Sequence, residues 1–206
     1  IKDFSGTISF ESGLAGDAGN GCRALNLPEF IRTLHDRGIY VIGRISVFQD
    51  SFYSKLHPEL AVKRKSNPNT VWADRKGINF IEVGSKPYWD YIVALATKSH
   101  EIGFDELNFD YVRFPSDGDM QDIYFPFSNE LIATDPVNGR ARALELFFKF
   151  LSIEMEKIGV VTSADLFGMT TTAWEGFDLN IGQVLERALP YFDYIAPMVY
   201  PSHYPA

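Results

Sequence analysis

Hydrophobic positions along the chain follow two patterns that alternate. Apolar side chains recur at helical spacing in four segments, residues 27–37, 87–102, 140–158 and 181–189. Apolar runs typical of buried strands lie between and after them, at residues 39–48, 104–113, 160–167 and 194–200. Strands separated by helices of this length predict βαβ crossovers and therefore a parallel sheet. The pattern predicts an α/β fold in one domain, residues 1–206.

The connections between these segments are of two kinds. The helix-to-strand turns are tight, as at residues 37–38, 102–103 and 158–159. The strand-to-helix connections are long, at residues 48–86, 114–139 and 168–180. In α/β barrels and open sheets, ligand sites lie at the carboxyl ends of parallel strands, where such connections meet. This asymmetry predicts a functional site at that end of the sheet.

The predicted strand at residues 104–113 carries polar side chains at every second position. Glu106, Asn108 and Asp110 share one parity, whereas Leu107 and Phe109 share the other. A carboxylate inside a folded domain is costly unless it is paired, hydrogen-bonded or used in chemistry. Asp110, near the carboxyl end of this strand, is therefore the first candidate for a functional residue.

Polar side chains also follow the carboxyl ends of the other predicted strands. Asp165 lies near the carboxyl end of the strand at residues 160–167. Since neighbouring strands lie about 4.8 Å apart, we expect the carboxyl groups of Asp110 and Asp165 roughly 5–9 Å from each other, which spans the separations found in glycosidases. Such enzymes need two carboxyl groups of unequal pKa. Asp110 and Asp165 are the predicted catalytic pair.

Six further residues complete the predicted site as substrate-binding groups. They are Arg44, Asn108, Arg113, Trp72, Tyr200 and His203. Trp72 lies in the first long connection and is a candidate for stacking on a sugar ring. A structural reading stays open for both carboxylates: Asp110 then only pairs with an arginine in a buried network, and Asp165 only caps the following turn.

Composition narrows the class of protein. The chain has 206 residues, of which 46% are hydrophobic, and this excludes a disordered segment and fits one domain with a sizeable core. Its formal net charge of −8 argues against a nucleic-acid partner. The basic run at residues 63–65 is short and predicts a solvated loop. No apolar run reaches the length of a membrane span, and the oligomeric state stays open.

No cofactor or metal is predicted. Neither of the glycine-rich fingerprints for nucleotide phosphates, GxGxxG and GxxxxGK[ST], occurs in the chain. The four histidines are scattered, and none forms an HxH or HExxH pair. The single cysteine, Cys22, excludes a disulfide framework within the chain.

Five blocks of the sequence resemble the family DUF4015, a family of glycoside hydrolase-like domains. They are residues 40–48, 57–61, 103–118, 163–168 and 193–204. The resemblance implies a (β/α)8 TIM barrel that is incomplete in this chain, with outer strands missing at both ends. Arg44, Asp110, Asp165 and Tyr200 would then lie on barrel strands 3, 4, 5 and 6. It also implies an extracellular or cell-envelope polysaccharide as the carbohydrate substrate.

The resemblance extends to two larger groups of barrel enzymes. The strand 4 motif of family 18 chitinases, DxxDxDxE, is similar to residues 105–112, where Asp105, Asn108 and Asp110 match its first three acidic positions. Val112 stands at the position of the proton-donating acid. Amylase-like barrels carry a nucleophile on strand 4 and an acid on strand 5, and this arrangement implies Asp110 as nucleophile or base and Asp165 as acid.

Two other functions remain as alternatives. A non-catalytic carbohydrate-binding barrel would have an aromatic-lined groove with one isolated carboxylate. A metal-dependent lyase or deacetylase would need three or more convergent His, Asp or Glu ligands, and the scattered histidines argue against it.

Overall fold

The computed structural model describes residues 1–14 and 24–201. Two sheets form within these residues. Their strands are β1 (Ile42–Ser46), β2 (Lys63–Arg64), β3 (Glu106–Asp110), β4 (Ile123–Tyr124), β5 (Val161–Phe167) and β6 (Tyr194–Met198).

Helices separate the strands, as the hydrophobic pattern predicts. They are α1 (Leu27–His35), α2 (Ser51–Leu56), α3 (Lys86–Glu101), α4 (Asn129–Thr134), α5 (Gly139–Ile158) and α6 (Leu185–Ala188). Short 3-10 turns occur at Pro58–Leu60, Gly168–Thr171 and Leu189–Tyr191. No helix in the two described ranges is long and apolar enough to cross a membrane.

The main sheet is parallel throughout, in the order β1-β3-β5-β6. Lys2 extends it beyond β1 through a parallel bridge to Ile45, where the Ser46 N–H donates to the Lys2 carbonyl at 2.9 Å. The second sheet pairs β2 with β4 in antiparallel fashion. The predicted α/β fold with a parallel sheet is confirmed, and the sheet is open across the described residues rather than closed into a barrel.

The two longest helices cover one face of this sheet. Pro87 lies in the first turn of α3, where a missing N–H costs nothing. Gly159 follows α5 with φ 70°, a left-handed conformation that glycine adopts without strain. Trp89 of α3 packs on Phe147 of α5 with ring centroids 5.7 Å apart. Both rings belong to a single core cluster that includes Leu107 of β3.

The strand β3 is buried along its whole length, including its polar positions. It is shorter than the predicted strand at residues 104–113, because Tyr111 has φ 51° and turns the chain after Asp110. The strand β1 is also shorter than predicted. The Val41 N–H before it donates to the Asp105 carboxylate at 2.7 Å rather than to a neighbouring strand. The helix predicted at residues 181–189 is reduced to α6.

Candidate functional site

A cavity of about 570 Å³ opens at the carboxyl ends of β1, β3, β5 and β6. Five of the predicted site residues line it: Arg44, Asp110, Arg113, Asp165 and Tyr200. This is the end of the sheet at which the long connections predicted a site. The volume falls within the range of roughly 300–1,000 Å³ that small-molecule sites occupy.

Asp110 and Asp165 contact the same guanidinium. Arg44 donates from Nη2 to Oδ2 of Asp110, and its Nε lies 3.7 Å from Oδ2 of Asp165. The register explains this meeting. Phe109 pairs with Ala164, so Asp110 and Asp165 are each one residue farther along neighbouring strands. Residues at equal levels of a parallel pair point to the same face, and both carboxylates therefore reach the cavity.

The two carboxylates differ in their surroundings. The Asp110 side chain is only 4% exposed and receives the Arg44 guanidinium on Oδ2 and the Tyr111 N–H on Oδ1. Burial raises the pKa of the Asp165 carboxyl; the Asn108 hydrogen bond lowers it, the Asp110 charge raises it and Arg44 lowers it. The net direction is upward, so Asp165 holds a proton more readily than an ordinary aspartate.

A column of polar side chains supports Asp165 from inside the sheet. The Asn108 Nδ2 amide donates to Asp165 Oδ1 at 3.0 Å and to Ser163 Oγ at 3.1 Å. Ser163 Oγ in turn donates to Glu106 at 2.6 Å, and the Tyr40 hydroxyl donates to the other oxygen of Glu106 at 3.2 Å. Asn108, which we predicted as a substrate-binding residue, thus orients the Asp165 carboxyl.

Arg113 forms a second, buried cation in the cavity wall. It is 9% exposed, and its Nη1 donates to the Phe114 carbonyl at 3.0 Å and to Ser116 Oγ at 3.1 Å. Its guanidinium lies over the rings of Tyr111 and Phe167, with centroids 5.3 and 5.6 Å away. These contacts hold the charge in a fixed position beside the carboxylates.

Tyr111 is a site residue that the sequence pattern missed. Strict alternation along residues 104–113 places it on the face opposite to Asp110. The left-handed backbone at Tyr111 ends the alternation, and the residue lines the cavity. Strained backbone of this kind concentrates at functional sites. No feature of the sequence marks Tyr111 as left-handed, since tyrosine rarely adopts that conformation.

Trp72 does not lie where we expected. It is 1% exposed, packs against Phe80 with ring centroids 6.3 Å apart and donates its indole N–H to the Asp119 carbonyl at 3.0 Å. A ring this deeply buried offers no face to a sugar, so Trp72 holds two connections together instead. Its large apolar surface favours burial over exposure.

The remaining predicted residues lie at the end of the described chain. Tyr200 is 54% exposed and lines the cavity beyond β6. His203 lies outside the described residues. Within residues 1–14 and 24–201, no three His, Cys, Asp or Glu side chains are grouped so that they could hold a metal ion.

A family model matches the whole chain, and solved structures are similar to most of it. The family model DUF4015, described as "Putative glycosyl hydrolase domain", matches residues 1–206. No curated protein sequence matches the chain. A hypothetical protein from Ruminiclostridium thermocellum ATCC 27405 is similar in structure, with a TM-score of 0.65, 29% sequence identity and 80% of each chain covered.

Two solved enzymes share the fold at lower identity. Alpha-L-fucosidase isoenzyme 2 from Paenibacillus thiaminolyticus has a TM-score of 0.56 and 15% identity, covering 79% of this chain and 26% of that chain. The GH20 exo beta-N-acetylglucosaminidase from Vibrio harveyi has a TM-score of 0.51 and 14% identity, covering 86% and 29%. The chain thus spans less than a third of either enzyme. Since the family model matches the chain from end to end, this protein belongs to the DUF4015 family.

Proposed function

We propose that this domain hydrolyses glycosidic bonds, with Asp165 as the general acid and Asp110 as the nucleophile or base. One observation carries the proposal. Two carboxylates at the ends of neighbouring parallel strands contact one arginine in an open cavity, and burial raises the pKa of one of them. Unequal carboxyl groups on one cavity wall are what acid–base cleavage of a glycoside requires.

The roles follow from the surroundings of each group. Asp165, with the raised pKa, protonates the leaving oxygen. Asp110 accepts a hydrogen bond from the Arg44 guanidinium, and we assign it the role of nucleophile or base. It either attacks the sugar directly or activates a water molecule on the opposite face. The configuration of the released sugar distinguishes the two routes, because attack by Asp110 retains the anomeric configuration and attack by water inverts it.

The proposal includes a barrel architecture for the whole fold. The four main strands are adjacent in the order in which they follow along the chain, and all run parallel. In a doubly wound sheet the strand order reverses, whereas in a (β/α)8 TIM barrel it does not. Lys2 continues the same order beyond β1. The shared fold with the fucosidase and the exo beta-N-acetylglucosaminidase supports the same architecture.

We propose a polysaccharide outside the cell or in the cell envelope as the substrate. Membership of DUF4015 supports a carbohydrate substrate. The direct test is release of new reducing ends from a panel of polysaccharides incubated with the purified protein. We expect the wild-type protein to release new reducing ends and the Asp110→Asn variant to release none. Binding of a polysaccharide without any cleavage would contradict hydrolysis and favour a carbohydrate-binding barrel.

The Asn108 hydrogen bond gives a test of the acid that needs no substrate. Its donor lowers the pKa of Asp165, so the Asn108→Ala variant should move the Asp165 titration to higher pH. Carbon-13 NMR of the carboxyl carbons measures the titration directly. Once a substrate is known, the alkaline limb of the kcat/KM profile should move in the same direction.

A matched control tests whether a shift in the Asp165 titration is specific to the loss of Asn108. Asn69→Ala removes an exposed asparagine from a loop and should leave the Asp165 titration unchanged. An Asp165 titration that stays in place in Asn108→Ala would show that the amide does not tune the acid.

A further inference from the structure

A second cavity of about 520 Å³ adjoins the one that holds the carboxylates. The two share part of their wall, since Tyr111 and Arg113 line both. We propose that this second cavity binds a neutral sugar unit next to the one that is cleaved, so that the enzyme engages at least two consecutive units of its polysaccharide. The proposal rests on the proposed function, because it assigns the neighbouring unit of the same substrate.

The second cavity is built at the same end of the sheet as the first. Gln49 follows β1, residues 74–78 form a turn in the long connection after it, and residues 116–117 follow β3. Phe4 comes from the segment that follows the Lys2 bridge. Connections from several parallel strands therefore converge on it, as they do in sites of barrel enzymes.

Gln49 is a buried polar residue in the wall of this cavity, and its side chain can accept a further hydrogen bond. It is 5% exposed, and its Oε1 has no hydrogen-bond partner among the described residues. The backbone of the same residue is fixed, since the Ser46 hydroxyl donates to the Gln49 carbonyl at 3.0 Å. A buried amide oxygen without a partner costs free energy, and a donor such as a sugar hydroxyl removes that cost.

Charged groups of both signs line the same cavity as Gln49. Half-buried Asp74 and Asp117 supply acceptors, and Lys76 and Arg113 supply donors. The turn that carries Asp74 is held in place, because its Oδ1 accepts the N–H groups of Lys76 and Ile78 at 2.8 Å each. Two carboxylates balance two cations, so this lining suits the hydroxyl groups of a neutral sugar better than a charged ligand.

Arg113 lines both cavities and interacts electrostatically with groups from each of them. Burial lowers the pKa of the Arg113 guanidinium. The groups that raise it again come from both cavities: Tyr111, Asp110, Asp117 and Asp74. A ligand that occupies both cavities would lie against Arg113 and Tyr111, which line both of them.

Aromatic surface is also present. Phe4 is 47% exposed and Tyr111 is half-buried, and both line the second cavity. Sugar rings present a C–H face to aromatic side chains while their hydroxyl groups bond to polar neighbours. The combination of rings and balanced charges is typical of a site for an uncharged, hydroxyl-rich ligand.

The test uses the Asp110→Asn variant as the parent, so that bound glycans are not cleaved. Its binding is measured on an array of homo-oligosaccharides of one to six units, made from neutral, amino and uronic sugars. Lys76→Ala and Asp117→Ala are added to the parent, because both positions have solvent access and are tolerant of truncation. Asp36→Ala, an exposed aspartate at the opposite end of β1, is the matched control.

We expect the parent to bind a neutral sugar at least about tenfold more tightly as two or more units than as one. Lys76→Ala and Asp117→Ala should each lower the affinity for the longer ligands by about tenfold and leave the single unit unchanged. Asp36→Ala should have no effect.

Three outcomes would overturn the second site. They are equal affinities in all variants, binding of uronic sugars alone, and no binding of any glycan on the array. The proposed function is judged separately by reducing-end release from the wild-type protein. If the wild-type protein cleaves a polysaccharide and all variants bind glycans with equal affinity, the proposed hydrolase function stands and only the second binding site is rejected.

Discussion

Replacing Asp110 with asparagine is expected to lower kcat/KM by about 10⁴-fold or more, on whichever polysaccharide the wild-type protein cleaves. The substitution keeps the size of the side chain and removes the charge that either attacks the sugar or activates water. The Arg44 guanidinium then loses its anionic partner on β3 and keeps its contact with Asp165. Reducing-end release by the variant and the wild-type protein, measured under the same conditions, gives the ratio.

The same chemical change elsewhere provides the control. Asp36→Asn alters an exposed aspartate at the opposite end of the sheet and should leave kcat/KM unchanged. Circular dichroism and thermal unfolding of each variant would separate loss of chemistry from loss of fold. An Asp110→Asn variant that folds normally and keeps more than a tenth of the wild-type activity would contradict the role of Asp110.

The largest effect on stability is expected from replacing Glu82. This residue is fully buried and lies shortly before the start of α3. Burial raises its pKa to about 7 from 4.5, although the Gly84 N–H, which donates to Glu82 Oε2 at 3.0 Å, lowers it in part. The folded-state pKa lies above the unfolded value. The contribution of Glu82 to the free energy of unfolding is therefore fully present below about pH 4.5, and it is lost as the pH rises through about 7.

The Glu82→Gln variant removes this dependence, because an amide stays neutral at every pH. Between about pH 5 and pH 8, its free energy of unfolding should gain roughly 2–3 kcal/mol relative to the wild-type protein. Urea unfolding of both proteins at several pH values measures the gain. Glu130→Gln, on the exposed start of α4, is the control and should show none. If the free energies of unfolding of Glu82→Gln and the wild-type protein changed with pH in parallel, Glu82 would be shown to ionise in the folded protein without a cost in stability.

The position of the site in the fold follows from local features of the sequence. Helical and strand periods, separated by tight turns before the strands, fix which strand ends meet. The alternation in β3 then sends Asn108 and Asp110 to one face, and the same rule applies to Ser163 and Asp165 in β5. Asp110 and Asp165 meet Arg44 because the strands are parallel and adjacent, which the pattern predicts without knowledge of any contact.

Other features of the site depend on contacts that no local pattern records. Tyr111 reaches the cavity only because its backbone is left-handed, and the alternation rule fails at that residue. The burial of Trp72 depends on how two long connections pack against each other, which brings its ring to Asp119. The second cavity likewise forms from segments distant in sequence, at Phe4, Gln49 and Asp117. Loop packing of this kind is set by the tertiary structure rather than by periodicity.

The measurement that tests the catalytic pair most directly is the leaving-group dependence of the Asp165→Asn variant. Two aryl glycosides of the sugar that the wild-type protein releases are compared, one with a strongly acidic phenol and one with a weakly acidic phenol. An acidic phenol departs without protonation, so the variant should keep most of its kcat/KM, which reports cleavage of the bond to the phenol, on that substrate. On the other substrate it should lose about 10²-fold or more. Equal losses on both substrates would contradict the assignment of Asp165 as the acid.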